Sequence, residues 1–230
     1  MKINLINILV LIALASCAPL EQALENSPRQ AQADNHDLGV ENAASGKGTL
    51  KTPCAKVLAL KSAGSLKSRS NLKTRFLKAH NQVRELYAVA PLVWDDNLAK
   101  YAQAWANELK TRYNCRLNHR QNLGRTEGKS LGENLASYST SKKLAPSAFA
   151  SSPDFATFAW AQECSDYKAA SNSCTPGKQC GHFTQVVWQK SKKVGCGVAV
   201  CEGGMRTEVW VCNYDPPGNM TINGVKQKPY

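Results

Sequence analysis

Gly181-His182-Phe183-Thr184-Gln185-Val186-Val187-Trp188 and Val211-Cys212-Asn213-Tyr214-Asp215-Pro216-Pro217-Gly218-Asn219 decide how this chain is read. Over this region the hydrophobic period becomes that of β-structure. Residues 184–188 predict a strand, residues 194–201 alternate small and apolar side chains, Glu202-Gly203-Gly204 is a turn, and residues 207–214 predict a further strand. A hairpin turning at Gly203-Gly204 leaves Cys196 and Cys212 equally far from the turn. They then face each other across the ladder and can bridge. Cys201 stands an odd number of residues from Cys196, so it belongs to the other sheet face and needs another partner.

Upstream, the period is helical. Phe76, Ala79, Val83 and Leu86/Tyr87 recur at steps of three and four, and Pro91 breaks that helix. Asp95 or Asp96 caps the next one, whose stripe is Leu98, Tyr101, Ala102, Trp105 and Leu109. A third helix starts at Ser152-Pro153, cap then first-turn proline, and is predicted to carry Trp160, Glu163 and Tyr167 on one face. Residues 116–130 and 137–152 read as polar loops. Helices set apart from a short sheet predict α+β layers and not a βαβ wind.

The N-terminus speaks to compartment. Lys2 precedes an apolar run at 8–15 that is too short to span a bilayer and of signal-peptide length. Leu14-Ala15-Ser16-Cys17 resembles a bacterial lipobox, which predicts cleavage after residue 16 and acylation of Cys17. Ala18 after the cysteine leans to the outer membrane by the same resemblance. An ordinary signal peptide cut nearby is the alternative. Residues 17–70 are rich in Ala, Ser, Gly, Gln and Lys. The first aromatic residue of the chain is Phe76, so this stretch buries little and predicts a flexible tether. Cys54 beside Val57-Leu58-Ala59-Leu60 is the exception, able to staple the tether's end to the domain. Residues 71–230 then read as one domain of roughly 160 residues, a usual size for a single core.

There are nine cysteines. If Cys17 takes lipid, the remainder is even and suits disulfides in an oxidising compartment. A zinc ribbon is disfavoured because no Cys-x-x-Cys pair exists. The formal charge is +12. The lysines are scattered and not interleaved with aromatics, which with export argues against a nucleic-acid partner.

With these residues in view, the chain resembles the CAP superfamily: cysteine-rich secretory proteins, antigen 5 and pathogenesis-related 1 proteins. The matching pieces are Leu77-Lys78-Ala79-His80-Asn81-Gln82-Val83-Arg84, Pro91-Leu92-Val93-Trp94-Asp95, Asn114-Cys115 through His119, Gly132-Glu133-Asn134-Leu135-Ala136, Trp160 with Glu163, and the two stretches quoted first. The plant branch looks closest, through Ser171 to Lys178. The resemblance implies a three-layer α-β-α sandwich with a small, mostly antiparallel, disulfide-stapled sheet. It implies the bridges Cys115–Cys201, Cys174–Cys180 and Cys196–Cys212; the two cysteines left, Cys54 and Cys164, are then read as a pair.

The resemblance also implies a cleft holding His119, Glu133, Glu163 and His182. Neutral imidazoles of His119 and His182 suit zinc, and a two-histidine site leaves positions open for water or substrate. Glu133 and Glu163 are the candidate catalytic carboxylates, placed to orient a metal-bound water or take its proton. A buried acid–imidazole cluster that only stabilises the fold is the competing reading. Three departures stand out. Arg120 puts a cation beside His119, residues 167–174 carry one aromatic where some relatives have a sterol-binding segment, and the tail past Asn219 is longer than in plant members.

These features predict an exported, membrane-anchored ligand-binding module for lipid or an extracellular or envelope protein, at the bacterial outer membrane or cell surface, or else secreted. A metal-dependent hydrolase or peptidase and a structural surface protein are the alternatives. Binding ranks first because the serines near the cleft lie in polar loops and nothing in the sequence supplies an obvious nucleophile or oxyanion hole.

Overall fold

The computed structural model describes residues 52–62, 71–121, 130–145 and 148–230. The expected signal peptide 1–16, the lipidation site Cys17, most of the tether 17–70 and part of the 116–130 loop lie outside the described residues. Helices α1 (Pro53–Leu58) and α2 (Leu72–Leu86) lead to a short strand β1 (Val93–Trp94) and the long helix α3 (Asp96–Tyr113). Then come β2 (Gly132–Thr140), α4 (Pro153–Gln162) with a 3-10 turn at Glu163–Ser165, and the paired strands β3 (Tyr167–Lys168) and β4 (Ser173–Cys174). Helix α5 (Gly181–Val186), the hairpin β5 (Lys193–Cys201) and β6 (Arg206–Asp215), and a small hairpin β7 (Thr221–Ile222) and β8 (Val225–Lys226) complete the chain.

The main sheet runs β1-β5-β6-β2, with β1 parallel to β5 and the other pairs antiparallel. Alternation along β5 and β6 sorts their side chains onto two faces. Val194, Cys196, Val198, Trp210, Cys212 and Tyr214 join the core formed with α1, α2, α4 and α5. Ala199, Cys201, Val209 and Val211 join Ala102, Trp105 and Leu109 of α3 in a second core. This is the predicted α-β-α sandwich.

Two glycines let α3 lie directly on β5. A Cβ on Gly195 would come within 2.5 Å of the Leu98 carbonyl carbon, and one on Gly197 within 2.5 Å of the Gln103 nitrogen. In the space they leave, Gln103 bonds the strand itself, accepting from Val198 N at 3.1 Å and donating to Val198 O at 2.9 Å. Asp95 caps α3 by accepting from the amides of Asn97 and Leu98. Asn114, in the left-handed region at φ 50°, ends it.

All four bridges form: Cys54–Cys164, Cys115–Cys201, Cys174–Cys180 and Cys196–Cys212. Cys196 and Cys212 are direct partners in the ladder, as the hairpin symmetry required. Cys54 sits on α1, whose Val57 is fully buried in the first core, so this short helix is part of the fold.

Three local expectations are corrected. Residues 184–188 do not form a strand: Gly181–Val186 is helix α5, with Phe183, Thr184, Gln185 and Val186 all buried. A short helix buried on every side shows no apolar stripe, so its run of apolar residues mimics a core strand. The polar loop expected from 137 begins later, because β2 continues to Thr140 in register with Arg206 of β6. The third helix stops at Gln162, so Tyr167 leaves the predicted helix face and enters β3.

Candidate functional site

The four predicted side chains form two histidine–carboxylate pairs. Glu133, at the start of edge strand β2, accepts from His119 Nδ1 at 2.8 Å and from the Arg120 amide at 3.2 Å. Its carboxylate is fully buried, while the His119 ring is 45% exposed. Opposite Glu133 in the ladder stands Asn213, whose amide donates to Gly132 O at 3.1 Å and reaches Glu133 Oε2 at 3.5 Å. Glu163, in the turn after α4, accepts from His182 Nδ1 at 2.6 Å. Its other oxygen accepts from the backbone amides of His182 and Phe183, at 3.0 and 3.1 Å. These amides open α5 and have no partner within the helix, so one carboxylate caps the helix and aims its histidine. The Trp160 ring stacks on the His182 ring, 6.4 Å between centroids and 23° between planes.

The chemistry of the pairs sets the tautomers. A carboxylate accepts, so each histidine donates from Nδ1, and in the neutral ring Nε2 carries the free lone pair. That is the geometry in which carboxylates orient imidazole ligands from behind. Among the described residues no group of three or more His, Cys, Asp and Glu is placed to hold a metal ion. The donor set therefore does not make a closed structural metal site.

Arg120 does not intrude. Its guanidinium lies over the Tyr101 ring, 3.9 Å from the centroid, and donates to Tyr101 O at 3.2 Å. The cation beside His119 is thus turned onto α3.

Sequence reasoning missed the residues that connect the pairs to the core. Asn134 follows Glu133 on β2 and points to the opposite face. Its amide donates to His182 O at 3.1 Å and to the Tyr214 hydroxyl at 3.2 Å. Tyr214 in turn bonds His80 Nε2 at 2.8 Å, and His80 Nδ1 bonds Phe76 O at 2.7 Å. Since the Phe76 carbonyl only accepts, His80 donates from Nδ1 and its Nε2 accepts from Tyr214. Burial keeps both groups neutral: it pushes His80 down to about 4 and raises Tyr214 well above the ordinary phenol range. The signal for this network was present in the motifs Gly132-Glu133-Asn134 and Cys212-Asn213-Tyr214, but the pairing of the two needed the β2–β6 register. His80, read as non-catalytic, is a core residue bonded to Tyr214.

A family model described as the cysteine-rich secretory protein family, CAP, matches residues 77–214. The chain belongs to this family. Among similar CAP relatives, pathogenesis-related protein 1A1 of Solanum lycopersicum is 40% identical over 154 residues, 66% of this chain and 75% of that protein. Pathogenesis-related protein PR-1 of Medicago truncatula is 41% identical over 155 residues, covering 67% and 79%. Among solved structures, venom allergen-like protein 4 of Schistosoma mansoni superposes with a TM-score of 0.51 at 24% identity, over 70% of this chain and 94% of that one. BmVAL-1 gives 0.53 at 25% identity, over 71% and 84%. The plant proteins agree with the plant-type resemblance of the sequence, and the structural likenesses agree with the fold.

Proposed function

We propose that this CAP domain is an extracellular ligand-binding module, held at a membrane through a lipid on Cys17, with its cleft built on His119, Glu133, Glu163 and His182. The observation that carries the reading is the double use of a carboxylate behind an imidazole. Holding each ring by Nδ1 leaves its Nε2 for a ligand, and 23% exposure of the His182 side chain leaves that one reachable. A divalent cation such as zinc is the ligand this chemistry favours at the two Nε2 atoms, where it would supply Lewis acidity or a docking point for an anionic group. Lipid or an extracellular or envelope protein remains the partner class for the surrounding surface. No described helix is long and apolar enough to cross a membrane. Export agrees with four disulfides in one small domain.

The second reading, a metal-dependent hydrolase, is favoured by Glu133 and Glu163 themselves, since a carboxylate beside a metal site can take a proton from water. Calorimetry with zinc on the full chain, His119→Ala and His182→Ala tests the site. Binding lost in either variant supports it, and undiminished binding in both overturns it. A screen of peptide and ester hydrolysis separates the two readings: zinc-dependent turnover abolished by Glu133→Gln or Glu163→Gln assigns an enzyme. Labelled palmitate entering the chain but not Cys17→Ser supports the anchor, and no label in the unaltered chain removes it.

A further inference from the structure

The hairpin β7–β8 stands apart from the main sheet and turns at Asn223-Gly224, both in the left-handed region at φ 50° and 76°. Its register pairs Ile222 with Val225 and Thr221 with Lys226, and Gln227 N donates to Met220 O at 2.9 Å. Alternation therefore places Met220, Ile222 and Val225 on one face. That face is open: Met220 is 40% exposed, Ile222 46% and Val225 63%. Four of the seven exposed large hydrophobics among the described residues, these three and Tyr230, lie on or beside this hairpin. So dense a cluster in water marks an interaction surface.

Its charge says what it meets. At the base of the hairpin is a concavity of about 570 Å³, lined by Asn172, Gln189, Val225, Lys226 and Lys228 among others. Asn172 donates to Lys226 O at 2.9 Å, and Gln189 N donates to Pro229 O at 2.7 Å. Three segments, 167–178, 189–193 and 216–230, thus touch there through residues 170–172, 189 and 225–230. Together they hold seven lysines and no aspartate or glutamate. Lys193 pairs with Asp95 at 3.1 Å. The other six, Lys168, Lys178, Lys190, Lys192, Lys226 and Lys228, form no ion pair among the described residues.

We propose that this face docks on an anionic lipid bilayer. Met220, Ile222 and Val225 enter the boundary between headgroups and acyl chains, and Lys226 and Lys228, which line the concavity, engage the phosphates. A soluble anion would leave the apolar face unused. A neutral bilayer would leave the lysines unused. The surface shares no residue with the two His–Glu pairs, so it stands whether or not those bind metal. Beside a lipid on Cys17 it would act as a second membrane contact.

Vesicle co-sedimentation tests it, using the full chain with Cys17→Ser in every sample so that no acyl chain contributes. Vesicles of phosphatidylcholine alone are compared with the same lipid mixed with phosphatidylglycerol. The expected result is binding to the mixed vesicles, weakened by salt. Ile222→Asp with Val225→Asp should lower it by about tenfold or more. Lys226→Gln with Lys228→Gln should lower it and flatten its salt dependence. Ile222→Trp should strengthen it and report a blue-shifted emission on mixed vesicles only. His182→Ala should leave it unchanged. Equal binding to both vesicle types, or an Ile222→Asp/Val225→Asp chain that binds as before, overturns the proposal. So does a dimer in sedimentation velocity that the same two aspartates dissolve, since the face would then belong to a second copy.

Discussion

Glu163 holds His182 at two atoms and Phe183 at a third: one carboxylate oxygen accepts from His182 Nδ1, and the other accepts from the backbone amides of His182 and Phe183. The same group that aims the imidazole also caps the helix carrying it. Orientation of the ring and folding of α5 therefore cannot be separated by removing the carboxylate. Glu163→Ala leaves two helix amides and one imidazole N–H without their acceptor, in a place where the carboxylate is only 18% exposed. The expected cost is about 2–3 kcal/mol, from hydrogen bonds to a charged acceptor and a lost cap. Urea denaturation followed by far-ultraviolet circular dichroism measures it. A loss below a few tenths of a kcal/mol would show that water replaces the carboxylate and that the triple contact is not structural.

The close seating of α3 on β5 makes a second expectation. Gly197→Ala would push a methyl group into the backbone of Gln103, and a helix backbone cannot give way like a flexible side chain. Overpacking of this kind costs about 1–3 kcal/mol, and here the Gln103–Val198 bonds are disturbed as well. The variant should unfold at clearly lower denaturant than the parent. Gly203→Ala, in a turn where a Cβ meets nothing within 4 Å, serves as the control and should change little.

The parts of the molecule that were legible are those in which neighbours in sequence are neighbours in space. The α2 and α3 stripes, the Asp95 cap and the Cys196–Cys212 pair all follow from local period or hairpin symmetry. What failed was held by distant groups. Helix α5 depends on Glu163 for its first amides, and Gln185 on it is fixed by Gly218 N at 2.8 Å and by Ser191 Oγ at 3.1 Å. Nothing in residues 184–188 announces either. Strand β2 has Ser137, Ser139 and Thr140 where a strand is expected to show large apolar residues. It is strand because β6 offers a full antiparallel edge, with Ser139 and Thr207 bonding side chain to side chain at 2.9 Å. The site itself was legible only through resemblance. The four residues lie far apart in sequence, and their sorting into two pairs on either side of edge strand β2 needed the register.

The Cys54–Cys164 bridge spans 110 residues and clamps α1 to the end of α4. In the chain-entropy account, closing so long a loop limits the unfolded state by roughly 4–5 kcal/mol. Cys54→Ala with Cys164→Ala should therefore lower stability by an amount of that order. Because Val57 keeps its buried seat, α1 should loosen and not vanish. Limited proteolysis should then cut between α1 and α2 well before it cuts the sheet. Unchanged protection there would mean that packing alone holds α1.

Finally, His80 makes the fold sensitive to acid. It is wholly buried, and burial holds its native pKa at about 4 against 6.5 when free. In the unfolded chain the imidazole gains a proton as pH falls through 6.5, while the folded imidazole stays neutral until about 4. The unfolded state thus binds more protons over this window, so stability is fully present above 6.5 and declines as pH drops toward 4. The shift corresponds to about 3 kcal/mol across the window. Protonation would also leave Nε2 unable to accept from Tyr214, undoing the chain through Asn134 to the His182 carbonyl. Urea midpoints measured from pH 4 to pH 7 should show this slope in the parent. His80→Gln keeps a neutral polar group and should be less stable at pH 7 but flatter with pH, and a parent slope that survives the substitution would assign the acid sensitivity to other groups.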